Sequence, residues 1–128
     1  MNLGPELSRS FRAFKIWCSL RVFGVSAFVE AVEHTLDVAR HFERRLQDSG
    51  VFEVMTPVTL NAVCFRVKDR SDAFQQEIVD RLRDGNVAFL GAVRLAGSLA
   101  IRACVTNFRT SMLDIDDVVE RLAALVTS

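Results

Sequence analysis

Six apolar residues, Phe28, Val32, Leu36, Ala39, Phe42 and Leu46, follow one another at spacings of 4, 4, 3, 3 and 4. That period describes one face of a long α-helix. Glu30, Glu33, Asp37, Arg40, Glu43, Arg44 and Gln47 fall on the other faces. Ser26 can cap its start, and Gly50 stops it after about Ser49. A helix this long and this one-sided has to lay its apolar face on another layer, here a sheet.

Strand patterns supply that sheet. In Val51–Met55, Phe52 and Val54 alternate with Glu53, and Thr56-Pro57 then interrupts the run, as at an edge or bulge. In Ala62–Val67, Val63, Phe65 and Val67 alternate with Cys64 and Arg66. Val87–Leu95 and Leu99–Thr106 flank Ala96-Gly97-Ser98 as a hairpin would. Between the strand pairs, Phe74, Ile78 and Leu82 mark a helix over Asp72–Asp84, closed by Gly85-Asn86. A last helix starts at Asp114 as N-cap and carries Ile115, Val118, Val119, Leu122 and Leu125. Arg9–Phe23 forms a first helix on Phe11, Phe14, Trp17 and Cys18, which Gly24 ends after the Gly4-Pro5 breaker. Grouped strands with helices between them predict an α+β fold. Its sheet is mainly antiparallel, of about four strands, with helices covering one face.

Function is narrowed first by what is missing. Lys plus Arg equals Asp plus Glu, so no global field favours nucleic acid. The three cysteines, Cys18, Cys64 and Cys104, have no C-x-x-C spacing and read as buried free thiols of a reducing, cytoplasmic setting. His34 and His41 lie seven residues apart and read as a solvated helix face, since a metal pair needs four-residue spacing and a third ligand. No window of eighteen apolar residues could span a membrane. Leu7–Val29 contains Arg9, Arg12, Lys15 and Arg21 and no acid. A targeting or membrane-surface helix has that composition, but its aromatics favour a packed interface.

One residue breaks the strand pattern productively. In SLAIRACVTNFRT, Ile101, Ala103 and Val105 point one way and Arg102, Cys104 and Thr106 the other. Arg102 therefore leaves the core face, beside small neighbours. A guanidinium on a rigid strand suits a carboxylate. A solvent-exposed face, or a salt bridge to a nearby acid, fits the same spacing.

Several segments together resemble the pyridoxal-phosphate-dependent group II amino-acid decarboxylases, which include the aromatic-amino-acid and glutamate decarboxylases. The run LSRSFRAFKIWCSLRVFGVSAF is similar to the family segment of paired arginines, an aromatic, Arg-x-x-Lys-x-Trp and Arg-x-x-Gly. Arg9, Phe11, Arg12, Lys15, Trp17, Arg21 and Gly24 fall on it, while Ser10 replaces the second arginine of the pair. NAVCFRVK resembles the family's apolar-CFR strand, and LAIRACVTNFRT with DIDDVV resembles its final strand and last helix.

The resemblance implies the small C-terminal α+β domain of a fold-type I enzyme over residues 26–128. Residues 1–25 would then be a connecting segment and helix from the large domain. It implies that Arg102 contacts a substrate carboxylate, as the matching arginine does in the glutamate-decarboxylase branch. Arg9, Arg12, Lys15, Trp17 and Arg21 would serve the domain connection or interface. The family's Schiff-base lysine follows a histidine, and neither Lys15 nor Lys68 does. The chain alone is therefore expected to be inactive and not to bind pyridoxal phosphate covalently. Its expected partners are a missing large domain or partner subunit, in a homo-oligomer acting on an amino acid. The alternative is a free-standing α+β module that binds or senses a small carboxylate.

Overall fold

The computed structural model describes residues 11–127. Arg9, Ser10 and the Gly4-Pro5 breaker lie outside them. The order is α1 (Arg12–Asp48), β1 (Phe52–Val54), β2 (Ala62–Val67), α2 (Asp72–Asp84), β3 (Gly91–Leu95), β4 (Ser98–Cys104) and α3 (Met112–Thr127). The strands form one fully antiparallel sheet in the order β1-β2-β4-β3. The expected α+β layering is present. Two compact units divide the chain, Met1–Val32 and Glu33–Ser128.

Gly24 divides α1 into two helical segments, ending the first as expected. Its φ of 79° and ψ of 161° are closed to residues with a Cβ, and helical geometry resumes directly after it. The two helices expected on either side of Gly24 are thus present, and they meet at that residue. The apolar stripe also behaves differently along its length. Val38, Ala39, Phe42 and Leu46 are buried, whereas Phe28 and Val32 are exposed.

In the second unit the core is built from the inward faces of sheet and helices. Val63, Phe65 and Val67 of β2 and Ile101 and Ala103 of β4 meet Phe42, Leu46, Ile78, Leu82, Val119 and Leu122. Leu95 pairs with Ser98 across Ala96 and Gly97, whose φ values are 49° and 85°. A two-residue loop with both φ positive matches the right-handed strand twist, so this turn fixes the register of β3 against β4. Ser71 caps α2 by accepting the Phe74 N–H.

The start of α3 corrects an expectation. Ser111, not Asp114, is its cap. The Asp114 N–H donates to the Ser111 hydroxyl, and the Ser111 N–H donates back to Asp114 Oδ2 at 2.8 Å. This reciprocal capping box satisfies donors at both positions, so Asp114 belongs one turn inside the helix.

Both histidines also depart from the solvated face expected of them. His34 Nε2 donates to the Thr110 carbonyl, and His41 Nε2 donates to Asp116 Oδ1, each at 2.8 Å. Arg45 Nε joins the same oxygen at 2.7 Å. These side chains tie α1 to α3 and to the loop before it. The partners are more than seventy residues away in sequence, which is why helical spacing alone could not show them.

Hydrogen bonding from His41 holds the Asp116 carboxyl below the usual carboxylate range; desolvation opposes this and Arg45 reinforces it. The Ser111 backbone N–H, and then its hydroxyl, do the same for Asp114. Both groups have lower values folded than unfolded. Their stabilisation is complete above the unfolded value of about 3.9 and is lost as pH falls through the folded values. Urea midpoints are therefore expected to drop below about pH 4. Asp116→Asn should flatten that drop, and an unchanged slope in the variant would refute the assignment.

Candidate functional site

β4 places Arg102 on the sheet face away from the core. Ile101, Ala103 and Val105 are buried; Arg102, Cys104 and Thr106 are exposed, as the alternation predicts. Ala100 shares the Arg102 face yet is buried, opposite Val93 of β3. In register, Arg102 sits directly between Cys64 of β2 and Gly91 of β3. Neither neighbour carries a large side chain. A Cβ built on Gly91 would meet nothing closer than the Arg102 carbonyl at 4.0 Å. The guanidinium therefore has lateral room on both sides.

The neighbouring arginines are already engaged. Arg66, on the same face, donates from Nη2 to the Arg70 carbonyl at 2.7 Å and lies 3.9 Å from Asp72. Arg94 donates to Asp72 Oδ2 at 3.2 Å and to the Gly97 carbonyl. Asp72 Oδ1 also accepts the Leu99 N–H at 3.0 Å, which pins the hairpin to the start of α2. The Arg102 guanidinium has no ion pair or hydrogen bond among the described residues. The salt bridge that the spacing allowed is thus not formed there. What remains is an accessible planar cation on a rigid strand, suited to a two-pronged contact with a carboxylate.

Cys64 and Cys104 share this face. Burial pushes the Cys64 thiol up, the Arg102 guanidinium works against that, and Cys104 adds to it. Cys18 and Cys64 are half-buried and Cys104 is exposed, so the expectation of three buried thiols fails, most clearly at Cys104. An even-numbered strand position opposite Ala62 turns Cys104 outward.

The remaining predicted residues belong to the first unit. Phe11, Phe14 and Trp17 stack in succession, with centroids 5.8 and 6.0 Å apart, and Arg21 lies over the Trp17 ring at 5.8 Å. The three rings are 75, 50 and 58% exposed, so they pack on one another and leave an apolar surface. Arg12 and Lys15 are exposed on the same helix.

Lys15 and Lys68 are both exposed, and Lys68 Nζ donates to the Gly50 carbonyl at 2.8 Å. A hollow lined by Arg83, Asn86, Val87, Ala88 and Phe89 contains no lysine. A covalently held cofactor needs an amine in a cleft that keeps water out.

Residues 2–68 match the family model described as "Pyridoxal-dependent decarboxylase conserved domain". The chain belongs to this family of pyridoxal-phosphate-dependent decarboxylases. An aromatic-L-amino-acid decarboxylase of Bacillus atrophaeus is 33% identical over 129 residues, covering 95% of this chain and 27% of the relative. A histidine decarboxylase of Rattus norvegicus is 34% identical over 115 residues, covering 90% and 17%. Among solved structures, Catharanthus roseus tryptophan decarboxylase superposes with a TM-score of 0.85 at 24% identity, over 93% of this chain and 27% of that one. Rhodiola rosea 4-hydroxyphenylacetaldehyde synthase superposes at 0.83 with 26% identity, over 96% and 28%. The chain thus spans about a quarter of the length of the first of these decarboxylase relatives. Its architecture is that of the small C-terminal α+β domain of a fold-type I enzyme.

The sequence signalled Arg102 through strand parity. It did not signal Gly91 as the neighbour that clears space for it. That relation depends on the hairpin register, which the Ala96-Gly97 turn determines.

Proposed function

We propose that this chain is the carboxylate-orienting small domain of a decarboxylase acting on amino acids, and that it does not decarboxylate on its own. Arg102 is the observation that carries the reading: an exposed guanidinium on a core strand, unpaired among the described residues, flanked by Cys64 and Gly91. It would hold the carboxylate of the substrate in place. The carbon–carbon bond cleavage would depend on residues beyond those described, because neither Lys15 nor Lys68 sits where a cofactor amine is required.

Residues 1–25 would connect to the rest of the enzyme, with residues 26–128 as the small domain. Arg9, Arg12, Lys15, Trp17 and Arg21 would serve that connection or a partner subunit in a homo-oligomer. The exposed Phe11, Phe14 and Trp17 support this, since a bare aromatic ladder is a surface that gains from being covered. Free thiols support a reducing, cytoplasmic setting. No helix among the described residues is long and apolar enough to cross a membrane.

Two measurements test the reading. The chain with added pyridoxal phosphate and a panel of amino acids should release no carbon dioxide, and borohydride should trap no adduct on it. Turnover or a trapped adduct would overturn the claim of dependence. The chain should then replace the matching quarter of an aromatic-L-amino-acid decarboxylase. Arg102→Gln in that chimera is expected to lower kcat/KM at least about thirtyfold, because losing one partner of a desolvated charge pair costs about 2–5 kcal/mol. An active chimera indifferent to Arg102→Gln would remove the carboxylate role.

A further inference from the structure

We propose that Cys64 and Cys104 form a two-coordinate bis-thiolate site for a soft monovalent cation of the Cu(I) class, with Arg102 beside it as counter-charge. The site does not rest on the decarboxylase reading. Cys64 faces Arg102 and Cys104 faces Ala62 across the β2–β4 ladder, so the two cysteines are diagonal neighbours on one sheet face. One is half-buried and the other exposed, and both are free thiols.

Spacing decides what this pair can do. Diagonal partners in an antiparallel ladder stand about 7–8 Å apart, with their Cβ atoms somewhat closer. A disulfide needs Cβ atoms about 3.5–4.5 Å apart, so direct oxidation would require the strands to move. Two sulfurs that share one ion through bonds of about 2.3 Å need only come within about 4.6 Å of each other. Side-chain rotation can supply that from a diagonal pair.

Ligand count decides which ion. Zinc takes four ligands at a closed structural site. No group of three or more His, Cys, Asp or Glu side chains suited to a metal exists among the described residues. A soft cation content with two thiolates is what such a pair selects. Charge then closes the site. Binding releases two protons to solvent, one from each thiol, with no change of oxidation state. Two thiolates and one monovalent ion leave a single negative charge, and Arg102 lies directly opposite Cys64 to balance it.

The test uses the whole chain under anaerobic, reducing conditions with Cu(I) supplied as its bicinchoninate complex. One equivalent is expected to transfer to the protein. Cys64→Ser and Cys104→Ser should each weaken binding at least a hundredfold, Arg102→Gln a few-fold, and Cys18→Ser not at all. Tightness should rise with pH as the thiols deprotonate. Circular dichroism checks that the variants fold. On the unaltered chain, bound Cu(I) should protect Cys64 and Cys104 from alkylation and leave Cys18 reactive. The proposal is overturned if the double serine variant keeps a tight equivalent, if Cys18 is the protected thiol, or if Zn(II) binds as tightly as Cu(I).

Discussion

Gln75→Ala is expected to lower the unfolding free energy by about 2–6 kcal/mol, since each buried backbone group left without a partner costs about 1–3 kcal/mol. Gln75 is fully buried on α2, the one polar side chain in that state among the described residues. Its Oε1 accepts the Val67 N–H at 2.8 Å and its Nε2 donates to the Val67 carbonyl at 3.0 Å. The β2–β4 pairing extends only to Phe65 opposite Ile101. Beyond that point the amide stands in for a neighbouring strand. Removing it orphans a donor and an acceptor in the protein interior. Gln75→Glu should also destabilise, because a carboxylate cannot donate to the Val67 carbonyl. Urea unfolding would show a lower midpoint at constant m. A midpoint equal to that of the unaltered chain would refute the role.

Phe65→Ala is the second large effect, at about 3–5 kcal/mol. Phe65 is fully buried at the middle of β2. Its ring meets Phe52 edge-on, with centroids 5.6 Å apart at 85°, and Phe42 at 5.7 Å and 59°. It is therefore the ring that joins β1, β2 and α1. Truncation removes both ring contacts and leaves a cavity that three separate elements would have to close. Small domains are stable by only about 5–15 kcal/mol, so this single change takes up a large part of the margin. Phe65→Leu should cost less than Phe65→Ala. Equal losses for the two would show that volume at this site does not matter.

The two predictions differ in how visible they were beforehand. Phe65 lies in an alternating run with Val63 and Val67, so its burial follows from a period of two. The helix over Asp72–Asp84 and the hairpin around Ala96-Gly97 were equally legible, because local periodicity and turn chemistry agree with the final packing there. Gln75 was not legible. On a helix it looks like any polar residue, and its partner lies where one strand stops pairing with another. His41 with Asp116 is the same kind of case. The stripe through Phe28 and Val32 misled in the opposite direction, since amphipathic spacing states which face is apolar but not how much of it is covered. Arg102 lay between these extremes: parity gave its direction, and register supplied its neighbours.

The strand order has a last consequence, for aggregation. β1 and β3 are the margins of the sheet, where unpaired backbone groups could recruit another chain. β1 offers only three residues before Thr56-Pro57 cuts it short. β3 carries Arg94 near its end, held by Asp72 and the turn carbonyl of Gly97. A short margin on one side and a tethered charge on the other leave little straight, apolar edge for a second molecule to extend. The domain is thereby protected against sheet-to-sheet polymerisation.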